Sequence, residues 1–155
     1  MNTKPALYRD LQLQAKGLFE GIRDPIANAA NLSAVLWHGL PDLNWAGFYI
    51  LRADVLMLGP FQGKPACVRI PVGQGVCGTA AATCKTIIVP DVHAFAGHIA
   101  CDSASNAEIV VPIVADGRLA AVLDLDSPSL ARFDDEDRDG LEALACLFSQ
   151  ASDAF

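Results

Sequence analysis

The sequence predicts an α+β fold, an antiparallel sheet of about six short strands with the N- and C-terminal helices on one face and a ligand pocket on the other. Three observations predict it. Apolar residues recur at helical spacing near both ends of the chain, short β-branched runs separated by turn residues fill the middle, and one long stretch, Pro90 to Asn106, has no period at all. With 155 residues, 52% of them hydrophobic and 19% charged, the chain can build one core unaided, and no linker or repeat divides it. One domain over residues 1–155 is expected.

Leu7, Leu11, Leu18 and Ile22, then Ile26, Ala30, Leu32, Val35 and Leu36, mark two helices broken at Asp24-Pro25. Pro41-Asp42 ends them. Trp45 to Leu51 reads as a strand with Trp45, Gly47 and Tyr49 on one face and Ala46, Phe48 and Ile50 on the other. Val55 to Leu58 and Ala66 to Ile70 are further strands. A glycine-rich turn from Pro71 to Gly78 leads into a short helix over Thr79 to Thr83, and Thr86 to Val89 is again a strand. The acidic run Asp134 to Asp137 complements the N-terminus of a last helix through Leu141, Leu144, Ala145 and Phe148.

Ile109 to Val114 and Arg118 to Asp126 form a hairpin whose register can be argued from packing. A two-residue turn at Asp116-Gly117 sets Ile109 opposite Asp124 and mixes charge with apolar residues on both faces. A three-residue loop, Ala115-Asp116-Gly117, instead pairs Val111 with Ala121 and Ile109 with Leu123. One face is then wholly apolar, and the other carries Glu108, Asp124 and Asp126 together.

No apolar run reaches the ~20 residues of a membrane span, and Met1 to Asp10 lacks a signal-peptide pattern, so a cytoplasmic protein is expected. A net charge of -7 disfavours nucleic acid and anionic lipid and favours a cationic or zwitterionic small molecule. Five cysteines in a reducing compartment are catalytic, metal-binding or plainly buried rather than a stapled framework. Cys101 stands out, lying in the polar loop where a thiolate can be exposed and attack. The glycine-rich segment before Cys77 lacks the Lys-Ser/Thr of a phosphate-binding loop.

Several long motifs carry a resemblance. They are Cys67 before Arg69-Ile70-Pro71, Gly73-Gln74-Gly75-Val76-Cys77-Gly78, Val89-Pro90-Asp91-Val92-His93, Gly97-His98-Ile99-Ala100-Cys101-Asp102 and Ser105-Asn106-Ala107-Glu108-Ile109-Val110. Over Trp45 to Asp126 the chain resembles the free methionine-(R)-sulfoxide reductases, a branch of the GAF fold. The resemblance implies reduction of free methionine-(R)-sulfoxide, with Cys101 as the nucleophile, Cys67 as the usual resolving thiol and Cys77 able to join in exchange. It implies a substrate pocket shaped by Glu108, Asp124, Asp126 and Trp45, with no resident metal or bound cofactor and thioredoxin as the external reductant. A homodimer is compatible with it, and no motif encodes the oligomeric state. Cys84 and Cys146 fall outside the family's trio and read as inert.

Sulfoxide reduction needs a thiolate, a proton for the oxygen and a second thiol. Crowding among Glu108, Asp124 and Asp126 raises carboxyl pKa values, so Glu108 or Asp126 can donate the proton while the others hold the substrate ammonium. Trp45 and Tyr49 can pack on the methyl and methylene groups. Blander readings stand beside these: Cys101, Cys67 and Cys77 as small hydrophobes, Trp45 and Tyr49 as ordinary core, Asp124 and Asp126 on a solvated face. His93 and His98 either order the loop or tune Cys101. Two rival functions remain, a GAF sensory module that binds a small ligand without catalysis, and a zinc site of His98 and Cys101 with one of His93, Cys77 or Cys67.

Overall fold

A computed structural model describes residues 3–99 and 101–155. Two helices open the chain, α1 (Lys4–Phe19) and α2 (Pro25–Gly39). Each starts on a side-chain cap, Thr3 accepting from the Ala6 amide at 3.3 Å and Asp24 from the Ala27 amide at 2.8 Å, and Pro25 pre-sets the first turn of α2. Then follow β1 (Trp45–Arg52), β2 (Val55–Gly63), β3 (Arg69–Pro71), α3 (Gly75–Thr83), β4 (Ile87–Val89), β5 (Ala107–Ala115) and β6 (Arg118–Ser127). The last helix, α4 (Asp135–Ala151), opens with a capping box between Asp134 and Asp137.

The six strands form one antiparallel sheet in the order β3-β2-β1-β6-β5-β4. Strict alternation along β1 separates two cores: Ala46 and Phe48 join Leu36, Leu144 and Phe148 under α1, α2 and α4, while Trp45 and Tyr49 join Val76, Cys77 and Ala80 of α3 on the opposite face. The fold class and the two faces of β1 are therefore as the sequence predicts. Among the described residues no helix is long and apolar enough to cross a membrane.

The hairpin differs from the expectation. Its turn has two residues, not three: Ala115 pairs with Arg118, and Asp116 and Gly117 take φ values of 52° and 74°. Both left-handed values fit the tight turn that follows the twist of the strands. A bulge then skips Ala120, so Ile113 pairs with Ala121, Val111 with Leu123 and Ile109 with Leu125. The bulge restores the parity that a two-residue turn alone would lose. The expected pairs Val111–Ala121 and Ile109–Leu123 are thus each displaced by two residues along β6, and the faces survive.

Other boundaries also move, and β2 runs on to Gly63 rather than ending at Leu58. The β3 strand begins at Arg69, so Cys67 sits in the connection after β2 rather than in a strand, and α3 begins at Gly75 rather than Thr79. The glycines there serve close approach instead of ending structure. Gly75 takes φ 64°, and a Cβ on Gly78 would stand 2.6 Å from the Pro71 carbonyl oxygen and 3.1 Å from the Gly73 nitrogen. Because backbone atoms make this contact, they cannot swing aside. Gly78→Ala is expected to destabilise the fold by about 1–3 kcal/mol, read as a lower urea midpoint with an unchanged slope.

Candidate active site

Strand pairing brings the three predicted carboxylates together. Asp126 on β6 lies between Trp45 of β1 and Glu108 of β5, and Asp124 lies between Gly47 and Val110 on the same face. Glu108 is 6% exposed and Asp124 5%, so neither is a solvated surface residue. Burial, then the charges of Asp124 and Asp126, holds the Glu108 carboxyl well above the usual range. Burial pushes Asp124 up to about 6, and burial with the charges of Asp124 and Asp102 raises Asp126. Oδ1 of Asp124 is buried without a hydrogen-bond partner. Burial and mutual repulsion in such a cluster favour protonated carboxyls, and its unsatisfied acceptor can take a donor or a cation.

The thiols divide. Cys67 and Cys101, 34 residues apart, are joined in a disulfide with their Cα atoms 5.7 Å apart, whereas Cys77, Cys84 and Cys146 are free. Cys77 is 4% exposed, and its Sγ lies 3.8 Å from Oε1 of Glu108. It sits in the first turn of α3, where the helix end alone lowers a thiol pKa, yet burial and the charges of Asp124 and Glu108 push this one up. Cys84 and Cys146 are exposed and line no part of this cavity.

The aromatics act on the backbone as well as on the cavity. The Tyr49 hydroxyl donates to the Cys67 carbonyl at 2.9 Å, and Nε1 of Trp45 donates to the Lys64 carbonyl at 3.2 Å. Trp45 stacks between Tyr49 and Phe61, with centroid distances of 5.7 and 5.2 Å. Together these rings fix the segment that carries Cys67.

On the other side, Asn44 Nδ2 donates to Oδ2 of Asp102 at 3.2 Å and to the Ser105 hydroxyl at 3.0 Å, anchoring the loop beside Cys101. Sequence reasoning missed Asn44 and the anchoring part of Asp102. The only signal was their position next to Trp45 and Cys101. The two loop histidines separate: His93 Nε2 meets Oδ1 of Asn106 at 3.1 Å and orders the loop, while His98 Nε2 stands 3.7 Å from Oε2 of Glu108. Burial, then the His93 charge, lowers the His98 pKa, so its imidazole is neutral at pH 7.

These elements enclose a cavity of about 40 Å³ with Trp45, Tyr49, Cys77, Cys101, Glu108 and Asp124 in its wall. With the disulfide closed that is room for about three waters. All eight predicted site residues lie on this cavity or, for Cys67, are bonded to a residue on it.

A GAF-domain family model matches residues 16–151. The free methionine-R-sulfoxide reductase of Escherichia coli is 54% identical over 141 residues, covering 91% of this chain and 86% of the relative. The chain belongs to the free methionine-R-sulfoxide reductase family. A second member, the free methionine-R-sulfoxide reductase of Saccharomyces cerevisiae, is 45% identical and covers 96% of this chain and 87% of its own length. The solved structure of the Neisseria meningitidis free methionine-R-sulfoxide reductase in complex with its substrate superposes with a TM-score of 0.94 at 45% identity, covering 97% of this chain and 91% of that one. The reductase fold is thus matched from end to end, including the strands that carry the carboxylates.

Proposed function

We propose that this chain reduces free L-methionine-(R)-sulfoxide to L-methionine, with Cys101 as nucleophile and Cys67 as resolving thiol. The observation that carries the reading is a Cys67–Cys101 disulfide beside a cavity walled by the buried carboxyl groups of Glu108 and Asp124 and the part-buried one of Asp126. In the reduced protein the Cys101 thiolate attacks the sulfoxide sulfur, a protonated carboxyl supplies a proton to the oxygen, and methionine leaves with a sulfenic acid on Cys101. The Cys67 thiol condenses with that sulfenic acid, releasing water and forming the disulfide. An external dithiol of the thioredoxin class then takes up the oxidation by exchange.

Each carboxyl has a part in this scheme. Glu108 is the proton donor, since burial and the neighbouring Asp124 and Asp126 charges hold its carboxyl well above the usual range and favour the protonated form, and it faces both Cys77 and His98. Asp124, with an unpartnered oxygen, and Asp126 receive the substrate ammonium. A methionine sulfoxide inside a polypeptide has no α-ammonium, so it loses these contacts and is excluded. Trp45 and Tyr49 supply the apolar wall for the thioether arm.

The bonded pair of thiols favours this reading over a sensory module without catalysis, which has no use for a disulfide in its ligand cavity. A thioredoxin-coupled assay tests it. Free methionine-(R)-sulfoxide is expected to turn over, and the S form and N-acetylmethionine-(R)-sulfoxide to react at least about a hundredfold more slowly. Equal rates on all three would overturn the assignment of the carboxylates.

A further inference from the structure

The zinc set that the sequence offers, built on His98 and Cys101, is not the one the fold assembles, because Cys101 is bonded to Cys67. A different set has ligand spacing. One atom each from Cys77, Glu108 and Asp124 lie within 4.8 Å of one another, and all three residues are buried. From bond lengths of about 2.3 Å to sulfur and 2.0 Å to oxygen, neighbouring ligands of a tetrahedral zinc-like ion stand about 3.5 Å apart. The Cys77 Sγ to Glu108 Oε1 distance of 3.8 Å needs only a small adjustment.

A second observation points the same way. Oδ1 of Asp124, on a residue 95% buried, has no partner at all, so the cavity contains an acceptor that the protein leaves unsatisfied. An ion with a water or two fits the cavity of about 40 Å³. Cys77 is free and buried beside the bonded pair, and it is the soft ligand such an ion prefers over carboxylates alone.

We propose that Cys77, Glu108 and Asp124 form a binding site for a thiophilic divalent cation of the zinc class, with an open fourth position toward the cavity. Binding releases the thiol proton of Cys77 and the carboxyl proton of Glu108 to solvent, and the double positive charge of the ion then offsets the repulsion among the ionised ligands. Since Glu108 and Asp124 also line the cavity proposed for the substrate, occupancy inhibits the reductase competitively. That consequence rests on the proposed function; the cation site itself does not.

The test uses the oxidised protein, in which Cys67 and Cys101 are unavailable as ligands, in a Cys84→Ser/Cys146→Ser background that removes the exposed thiols. Cobalt(II) titration is expected to give one equivalent of binding with a thiolate-to-cobalt charge-transfer band, and zinc chloride to bleach that band stoichiometrically. Cys77→Ser should abolish the band, and Asp124→Asn should weaken cobalt binding at least about tenfold. Absence of the band in the parent, or an unchanged band in Cys77→Ser, would overturn the proposal whatever the protein's activity. A parent band with undiminished affinity in Asp124→Asn would overturn the ligand set.

Discussion

Replacing Cys101 by serine is expected to reduce thioredoxin-coupled turnover of free methionine-(R)-sulfoxide by at least about a thousandfold. A serine hydroxyl is un-ionised at neutral pH and a far weaker nucleophile toward sulfur than a thiolate, so attack on sulfur is lost rather than slowed. The fold should barely respond. Cys101 lies in a loop that Asp102, Asn44 and Ser105 hold through their own hydrogen bonds, and these do not pass through its sulfur. A serine variant with native thermal stability and more than a tenth of wild-type kcat would mean that another thiol performs the chemistry.

Glu108→Gln is the second large effect, with kcat expected to fall by about 10²- to 10⁴-fold, as for loss of a general acid. Glutamine keeps the shape and removes the proton. Wild-type kcat should decline as pH rises through the raised pKa of Glu108, and that limb should vanish in the variant. The same cluster sets a stability slope whose sign follows from linkage. Carboxyls with folded pKa values above their unfolded ones contribute stability that is full below about pH 4 and is lost as pH rises through the folded values. For Asp124 that loss runs from about 4 up to about 6, and Glu108 and Asp126 extend it upward. Urea unfolding from pH 5 to 8 should therefore show a shallower decline in Glu108→Gln than in wild type, and an equal decline would contradict the placement of the proton.

Much of this is legible in the sequence. Alternation along β1 assigned Trp45 and Tyr49 to one face, and the demand for one wholly apolar face put Glu108, Asp124 and Asp126 on the other, which holds because the bulge restores the parity that the two-residue turn loses. The turn itself was not legible. Asp116-Gly117 is a strong two-residue signal, but a bulge at Ala120 compensates for it, and nothing in the run Leu119-Ala120-Ala121 marks which residue is extra. Gly75 and Gly78 lie in α3 rather than in the expected turn, because a glycine required by a positive φ (Gly75) or by close backbone approach (Gly78) looks, in sequence, like a helix breaker.

The site followed the same division. Residue types reported the chemistry, a loop thiol and crowded carboxyls, because these depend on side-chain identity and face. Long-range contacts could not be read: Tyr49 holding the Cys67 carbonyl spans 18 residues, and Asn44 reaching Asp102 spans 58. The assignment of His93 to the loop and His98 to Glu108 likewise required distances.

The central claim is that Cys101 takes the oxygen and Cys67 resolves it. The most direct test is to treat reduced Cys67→Ser with one equivalent of free methionine-(R)-sulfoxide in the presence of dimedone and map the adduct by mass spectrometry. One equivalent of methionine and a single adduct on Cys101 are predicted. An adduct on Cys77, or methionine release with Cys101 unmodified, would contradict the account.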